Sequence, residues 1–69
     1  MQLSARNVIA GRITAVKLGS VEAEVSLELS PGVVVTSVIT RTSAERLGLK
    51  EGMEASAVIK ASDVMLAVE

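Results

Sequence analysis

The stretch of sequence that decides the fold is residues 21–29, which read VEAEVSLEL. Apolar residues alternate here with Glu and Ser, and this period of two is typical of a β-strand with one dry face and one wet face. A Ser-Pro-Gly turn follows at residues 30–32, where Pro presets φ and Gly admits a positive φ. Residues 33–40 are rich in β-branched side chains, which favour a second strand. The two runs predict an antiparallel hairpin.

Further β-rich runs lie on both sides of this hairpin. Residues 8–16 favour a strand, and the Gly11 inside this run indicates a bulge or a sharp bend. A turn at residues 18–20 leads from this strand into the hairpin. Near the end of the chain, residues 55–60 and 64–68 predict two more short strands.

A short helix is predicted between the hairpin and the last strands. Residues 43–47 favour one or two helical turns, with Thr42 or Ser43 as the N-cap and Gly48 as the C-terminal stop. Short strands separated by turns at intervals of about 8–12 residues are typical of a small sandwich or barrel. We therefore predict an all-β fold, a small OB-like β-barrel of five to six strands with one short helix.

The composition limits how a chain of this size can be stabilised. The 69 residues predict a single domain over residues 1–69, and the core of so small a domain supplies only about 3–5 kcal/mol. The sequence has no Cys and no His, so disulfides and soft-metal sites cannot add to that stability. Since 49% of the residues are hydrophobic and the mean hydropathy is +0.51, a monomer would expose many apolar side chains. The composition therefore favours a homo-oligomer.

The charge balance and the missing residue types argue against several classes of function. Seven Lys and Arg against eight Asp and Glu give a net charge of −1, which provides no basic field for nucleic acid or an anionic membrane. No leader peptide or bilayer-length apolar run is apparent, so we expect a cytoplasmic protein. Enzymatic activity is not expected, because neither His nor Cys is available as a base or a nucleophile.

Three short segments carry residues that are suited to holding an anion. Arg and Lys offer charged donors, while Ser and Thr hydroxyls and backbone N–H groups offer neutral ones. Taken singly, each segment also has an ordinary structural explanation: a solvated N-terminal arm, a helix N-cap, and a strand-end lysine that reaches solvent. The candidate residues are Ser4, Ala5 and Arg6 in the first segment, Thr40 and Ser43 in the second, and Lys60, Ala61 and Ser62 in the third.

Taken together and in order, these segments resemble the molbindins, the small molybdenum-pterin-binding (Mop) domains that are TOBE-like. The resemblance is carried by Ser-Ala-Arg-Asn at 4–7, Ala-Glu-Val at 23–25, Leu-Gly-Leu-Lys-Glu-Gly at 47–52 and Val-Ile-Lys-Ala-Ser-Asp-Val-Met at 58–65. It covers nearly the whole chain, with the segments in the order and spacing of the family. The length resembles that of a single stand-alone copy of the domain.

The resemblance implies an OB-like barrel that assembles as a hexamer, a trimer of dimers, and binds molybdate or tungstate at subunit interfaces. It implies no further cofactor. In the family's main site, one subunit would supply Ser4 and Arg6. Its partner would supply Thr40, Ser43, Lys60 and Ala61.

The resemblance also implies a second oxyanion site near the three-fold axis of the oligomer. The corresponding residues here are Gly19, Ser20, Val21 and Glu22. Symmetry would bring several Glu22 carboxylates together, and they would repel an anion unless they point away from it. The sequence therefore predicts a weaker site at this position.

Storage or homeostasis of molybdate or tungstate is the leading functional hypothesis. One alternative is an oligomeric interaction module whose anion-binding residues no longer serve a ligand. Another is a carrier of a molybdopterin-type cofactor, which is disfavoured because the chain has no aromatic side chain to stack on a pterin ring.

Overall fold

The computed structural model of this chain describes residues 4–69. Its elements, in chain order, are β1 (Asn7–Leu18), β2 (Glu22–Ser30), β3 (Val33–Thr40), the helix α1 (Arg41–Leu47), β4 (Glu54–Ile59) and a 3-10 turn at Ala61–Asp63. The four strands form one antiparallel sheet in the order β3-β2-β1-β4, which curls into a half-barrel. The predicted all-β, OB-like fold with one short helix is confirmed.

The long strand β1 joins the two halves of this sheet. Its first half pairs with β4, beginning with Asn7 opposite Ile59. Its second half pairs with β2 and ends with Leu18 opposite Ala23. Arg12 takes part in both pairings, so it marks the position where the sheet passes from one half to the other.

The bend of β1 depends on a glycine. A Cβ atom on Gly11 would lie 2.6 Å from the backbone carbonyl oxygen of Glu28, which is too close for any other residue. The register between β1 and β2 then shifts between Ile13 and Ala15. The irregularity expected at Gly11 is therefore a close backbone approach, with the bulge itself a few residues further on.

The dry face predicted for residues 21–29 is the centre of the core. Ala23, Val25 and Leu27 are buried on β2, while Glu22 and Glu24 on the other face are exposed. The first residue of the predicted face, Val21, lies before β2 and is 71% exposed. Ile13 of β1 is 1% exposed and packs with Val25 and Leu27 in one cluster. Burying a side chain of this size stabilises the fold by about 1.5–3 kcal/mol. This cluster therefore holds the two central strands together.

The hairpin and the end of the helix agree with the sequence prediction, but the N-cap does not. β2 and β3 pair antiparallel across a turn in which Gly32 has a φ of 79°. Gly48 ends α1 with a φ of 65°. The N-cap is Thr40, not Thr42 or Ser43, because the last residue of β3 already has the extended backbone that a cap needs. Within residues 4–69 no helix is long and apolar enough to cross a membrane.

The predicted strand at residues 64–68 is wrong for the single chain. The described part of the chain has four strands, and residues 64–69 form no regular element. Met65, Leu66 and Val68 are 93%, 92% and 96% exposed. A strand needs a partner edge to satisfy its backbone groups, and this segment lies along none of the four strands. The count of five to six strands is corrected to four.

The half-barrel is open between its two edge strands, β3 and β4. An apolar groove of about 400 Å³ lies between them, with Ile13, Val25 and Leu27 of the core among its lining residues. Its sides are formed by β3 and β4, and include Val35, Ile39, Ala55, Ala57 and Ile59. The core of one chain is therefore reached directly from this opening.

Candidate functional site

Two of the predicted anion-binding residues, Thr40 and Ser43, form a hydroxyl pair at the start of α1. The Thr40 Oγ1 hydroxyl donates to Ser43 Oγ over 2.8 Å, and the Ser43 backbone N–H donates to Thr40 Oγ1 over 3.0 Å. In this arrangement the hydroxyl proton of Thr40 is engaged in the hydrogen bond to Ser43. The Ser43 hydroxyl proton is left to donate to a ligand, and Thr40 holds that hydroxyl in place.

The two predicted cations, Arg6 and Lys60, leave the same end of the β1–β4 pair. Asn7 lies opposite Ile59, and its side-chain Nδ2 donates to the Ile59 carbonyl oxygen over 3.2 Å. Arg6 directly precedes this residue pair along the chain and Lys60 directly follows it. Both are exposed, and within residues 4–69 neither forms a salt bridge. Two uncompensated positive charges therefore lie at one corner of the sheet.

The remaining residues of the first and third segments lie beside these cations along the chain. Lys60 has an extended backbone and begins the 3-10 turn, which is closed by the Asp63 N–H donating to the Lys60 carbonyl oxygen over 2.9 Å. The backbone N–H groups of Ala61 and Ser62 precede that bond and donate to no protein acceptor among residues 4–69. Ser4 is exposed and Ala5 is half-buried.

A single chain does not join all of these donors. The structure brings Arg6 near Lys60 by strand register and Thr40 to Ser43 by direct hydrogen bonds. No hydrogen bond among residues 4–69 links the Arg6–Lys60 corner to the Thr40–Ser43 pair. The residues of the predicted site therefore form two separate donor groups in this chain.

The predicted second site is the turn at residues 19–22, to which Arg41 donates two hydrogen bonds. Gly19 N–H donates to the Glu22 carbonyl oxygen over 2.7 Å, which closes the turn. The Arg41 guanidinium Nη1 donates to the Gly19 carbonyl oxygen over 3.2 Å, and the Arg41 backbone N–H donates to the Val21 carbonyl oxygen over 2.8 Å. Ser20 and Val21 are exposed.

The charges around this turn do not favour an anion. The open depression beside it is lined by Lys17, Glu22 and Glu24, together with apolar and backbone groups. Two carboxylates outnumber the one ammonium in this depression, and the Arg41 guanidinium beside it is paired with Glu45.

Arg41 is a residue beside the predicted second site that the sequence prediction did not include. Its pairing with Glu45, at 3.5 Å, follows the four-residue spacing of a helix face and could have been read from the sequence. Its contact with Gly19, 22 positions earlier, carries no sequence signal, because it depends on how β2 and β3 pair.

The donor types in these groups suit an anion better than a metal cation. Among residues 4–69 no three His, Cys, Asp or Glu side chains are grouped so that they could hold a metal ion. Guanidinium, ammonium and backbone N–H groups are donors only, and a hydroxyl can donate, so all of them can point hydrogen atoms at an oxyanion.

The fold and these donors define a class of protein, a small OB-like β-domain with hydrogen-bond donors suited to an anion at its strand ends. The TOBE domain model matches residues 3–66. "Molybdenum-pterin-binding protein 3" of Clostridium pasteurianum is 54% identical over 66 residues, covering 96% of this chain and 97% of the relative. The chain belongs to the molybdenum-pterin-binding (Mop) proteins of the TOBE domain family, which confirms the resemblance inferred from the sequence.

Solved structures agree with this assignment. MopII from Clostridium pasteurianum superposes with a TM-score of 0.90 at 46% identity, covering 97% of this chain and all of that one (100%). The cytoplasmic molybdate-binding protein ModG, in a form with molybdate bound, gives a TM-score of 0.94 at 48% identity. That match covers 100% of this chain and 49% of the ModG chain, so this chain spans about half of it.

Proposed function

We propose that this protein binds molybdate or tungstate in the cytoplasm and serves to store or buffer the oxyanion. The observation that carries the proposal is the position of Arg6 and Lys60 at one end of the β1–β4 pair, two exposed cations that form no salt bridge within residues 4–69. The names of the relatives support it, since one is a molybdenum-pterin-binding protein and another a cytoplasmic molybdate-binding protein.

The charges and donors match a tetrahedral dianion. Arg6 and Lys60 together offset its two negative charges. The Ser4 and Ser43 hydroxyls and the backbone N–H groups of Ala61 and Ser62 supply neutral donors for its oxygens. A charge-assisted hydrogen bond contributes about 1.5–3 kcal/mol. A few such bonds, less the cost of desolvating the dianion, correspond to micromolar binding, about −8 kcal/mol.

The proposed site is completed by a second copy of the chain. In one chain the Arg6–Lys60 corner and the Thr40–Ser43 pair are not joined by any hydrogen bond among residues 4–69. An interface between two copies can bring the Arg6–Lys60 corner of one subunit to the hydroxyl pair of the other. This divides the donors differently from the resemblance, which implies Lys60 and Ala61 on the same subunit as Thr40 and Ser43. The proposal therefore includes a homo-oligomer, with the hexamer as the expected state.

The exposed tail and the open groove support such an assembly. Residues 64–68 follow β4, and their Met65, Leu66 and Val68 side chains are exposed. The groove between β3 and β4 exposes apolar side chains and two edges that no strand among residues 4–69 occupies. A tail from a second copy would cover the groove and pair its backbone with those edges.

We also infer that the role is not catalytic, since the donors at both groups can hold an anion but include no imidazole or thiol to react with it. The same features leave one alternative, an oligomeric interaction module without a ligand. The exposed tail and open groove favour that alternative as much as they favour storage. Only a binding measurement separates the two.

Native mass spectrometry with molybdate, tungstate or sulfate is the experiment that separates them. We expect an oligomer that gains whole molybdate or tungstate ions and no sulfate. The Arg6→Ala variant should keep the oligomer and lose the bound anion. The matched control is Arg12→Ala, which removes an exposed arginine about 20 Å along the chain from Arg6, opposite Glu28 and Glu54. An oligomer that takes up neither metal oxyanion would leave the interaction module as the better account.

A further inference from the structure

Glu22 lies directly across the sheet from Thr40. The two residues are register partners in the antiparallel β2–β3 pair, Glu22 opening β2 and Thr40 closing β3. Their neighbours Ala23 and Ile39 are also partners, and Ala23 is buried in the core. Since side chains alternate along a strand, Glu22 and Thr40 both project from the outer face of the sheet.

This pairing places a carboxylate beside the hydroxyl pair of the proposed site. Directly opposite residues in an antiparallel sheet have Cβ atoms about 4.5–5.5 Å apart. An anion held by the Ser43 hydroxyl, which Thr40 orients, would then lie about 7 Å from the Glu22 carboxylate.

Two cations, Lys17 and Arg41, lie in the neighbourhood of the Glu22 carboxylate. Glu22 is exposed and takes part in no salt bridge among residues 4–69. Arg41 is paired with Glu45 at 3.5 Å and bonded to the Gly19 carbonyl oxygen. Lys17 is the register partner of Glu24, so neither cation is paired with Glu22 and its charge is only partly offset.

We propose that Glu22 sets the affinity of the oxyanion site at Thr40 and Ser43, weakening it so that the bound anion exchanges readily. The inference rests on the proposed function, because it requires an anion at this hydroxyl pair. It assigns Glu22 to the main site, whereas the sequence had pointed to an effect on the turn at residues 19–22.

The expected effect follows from Coulomb's law with salt screening. A single charge about 7 Å from a dianion in water-like surroundings changes the Kd by about two- to threefold at 0.15 M salt and by about fivefold at 0.01 M salt. The dependence on salt distinguishes a charge effect from a change in the shape of the site.

The test is isothermal titration of molybdate into the purified oligomer of the wild type and of Glu22→Gln, at both salt concentrations. We expect a lower Kd for the variant, with an unchanged number of anions per subunit and a larger gain at low salt. Native mass spectrometry of the ligand-free protein checks that the variant keeps the oligomer.

Two variants on the same strand are matched controls. Glu24 and Glu28 share the outer face of β2 with Glu22 and pair with Val38 and Val34 of β3. They lie about 7 Å and about 20 Å further along the strand. Glu24→Gln should give a smaller gain than Glu22→Gln, and Glu28→Gln should give none at 0.15 M salt.

Three results would overturn the inference while leaving the proposed function intact. One is a Glu22→Gln variant with the affinity of the wild type. Another is an equal gain in all three variants, which would reflect net charge alone. The third is a rise in the number of bound anions at unchanged Kd, which would place the effect at the 19–22 turn. A wild type that binds no molybdate would instead refute the proposed function itself.

Discussion

The side-chain amide of Asn7 donates a hydrogen bond to the backbone carbonyl oxygen of Ile59, with 3.2 Å between nitrogen and oxygen. This bond joins the start of β1 to the end of β4, at the edge of the sheet where the two strands end. Arg6 directly precedes Asn7 along the chain, and Lys60 directly follows Ile59. The bond therefore fixes the corner from which both cations extend, although Asn7 itself need not touch the ligand.

Replacing Asn7 with Ala should weaken oxyanion binding without removing either cation. A bond of this kind contributes about 1 kcal/mol, which corresponds to about a fivefold rise in Kd if it is lost. Calorimetric titration with molybdate measures the change. The control is Thr14→Ala, which removes another side-chain bond to a strand carbonyl, that of Ser26, away from this corner. An unchanged Kd for Asn7→Ala would show that the corner is held by backbone pairing alone.

Thr40 should matter both for stability and for binding. Thr40→Val removes the N-cap of α1 and the acceptor of the Ser43 N–H, at a cost of about 0.5–2 kcal/mol in the free energy of unfolding. The Ser43 hydroxyl then loses its partner, so molybdate binding should weaken as well. Thermal unfolding and titration measure the two effects separately.

Two further variants test that assignment. Thr40→Ser keeps the hydroxyl and should recover most of both properties. Thr42→Val changes an exposed neighbour for which the structure shows no side-chain hydrogen bond among residues 4–69, and should cost less than about 0.5 kcal/mol. If Thr42→Val were as damaging as Thr40→Val, the N-cap would be misassigned.

Gly11 should tolerate no side chain. The Cβ atom of Gly11→Ala would meet the Glu28 carbonyl oxygen at 2.6 Å, and a backbone atom cannot move aside as a flexible side chain can. We expect a loss of about 1–3 kcal/mol in the free energy of unfolding, measured by denaturant titration. The control is Ala10→Ser at the exposed neighbouring position of β1, which should change stability by no more than about 0.5 kcal/mol.

The tail should control the oligomeric state. Leu66→Asp places a charge on a side chain that is 92% exposed in one chain and that the proposed assembly buries. Light scattering after size exclusion should then report a smaller species, because burying an unpaired carboxylate in an apolar groove is unfavourable. Lys50→Asp, at an exposed turn position, is the control and should keep the oligomer. A full-size Leu66→Asp oligomer would contradict the tail's role in assembly.

The sequence predicted best those features that depend on local pattern. The alternation from Ala23 to Leu27 gave the buried face of β2, because a period of two maps directly onto the two faces of a strand. Gly48 correctly predicted the end of α1, because glycine adopts a positive φ without help from a distant partner. The hydroxyls of Thr40 and Ser43 were also identified, although their mutual hydrogen bonds came only from the structure.

Features that depend on distant partners were not predictable in this way. The apolar pattern at residues 64–68 is that of a strand, yet a pattern does not reveal whether the same chain offers an edge for it. The bond from Arg41 to Gly19 depends on the β2–β3 register. The facing positions of Glu22 and Thr40 follow from the same register, so no local motif signals them.

The opening between β3 and β4 has a consequence for how the protein folds in dilute solution. Ile13, Val25 and Leu27 form the core cluster and also line the groove, so the core of one chain lies directly beneath an opening between its edge strands. If a second copy covers this opening, the stability of the folded state depends on protein concentration, and dilution alone destabilises the assembly. A freshly synthesised chain would then reach full stability only after it meets a partner, and the melting temperature would rise with total protein.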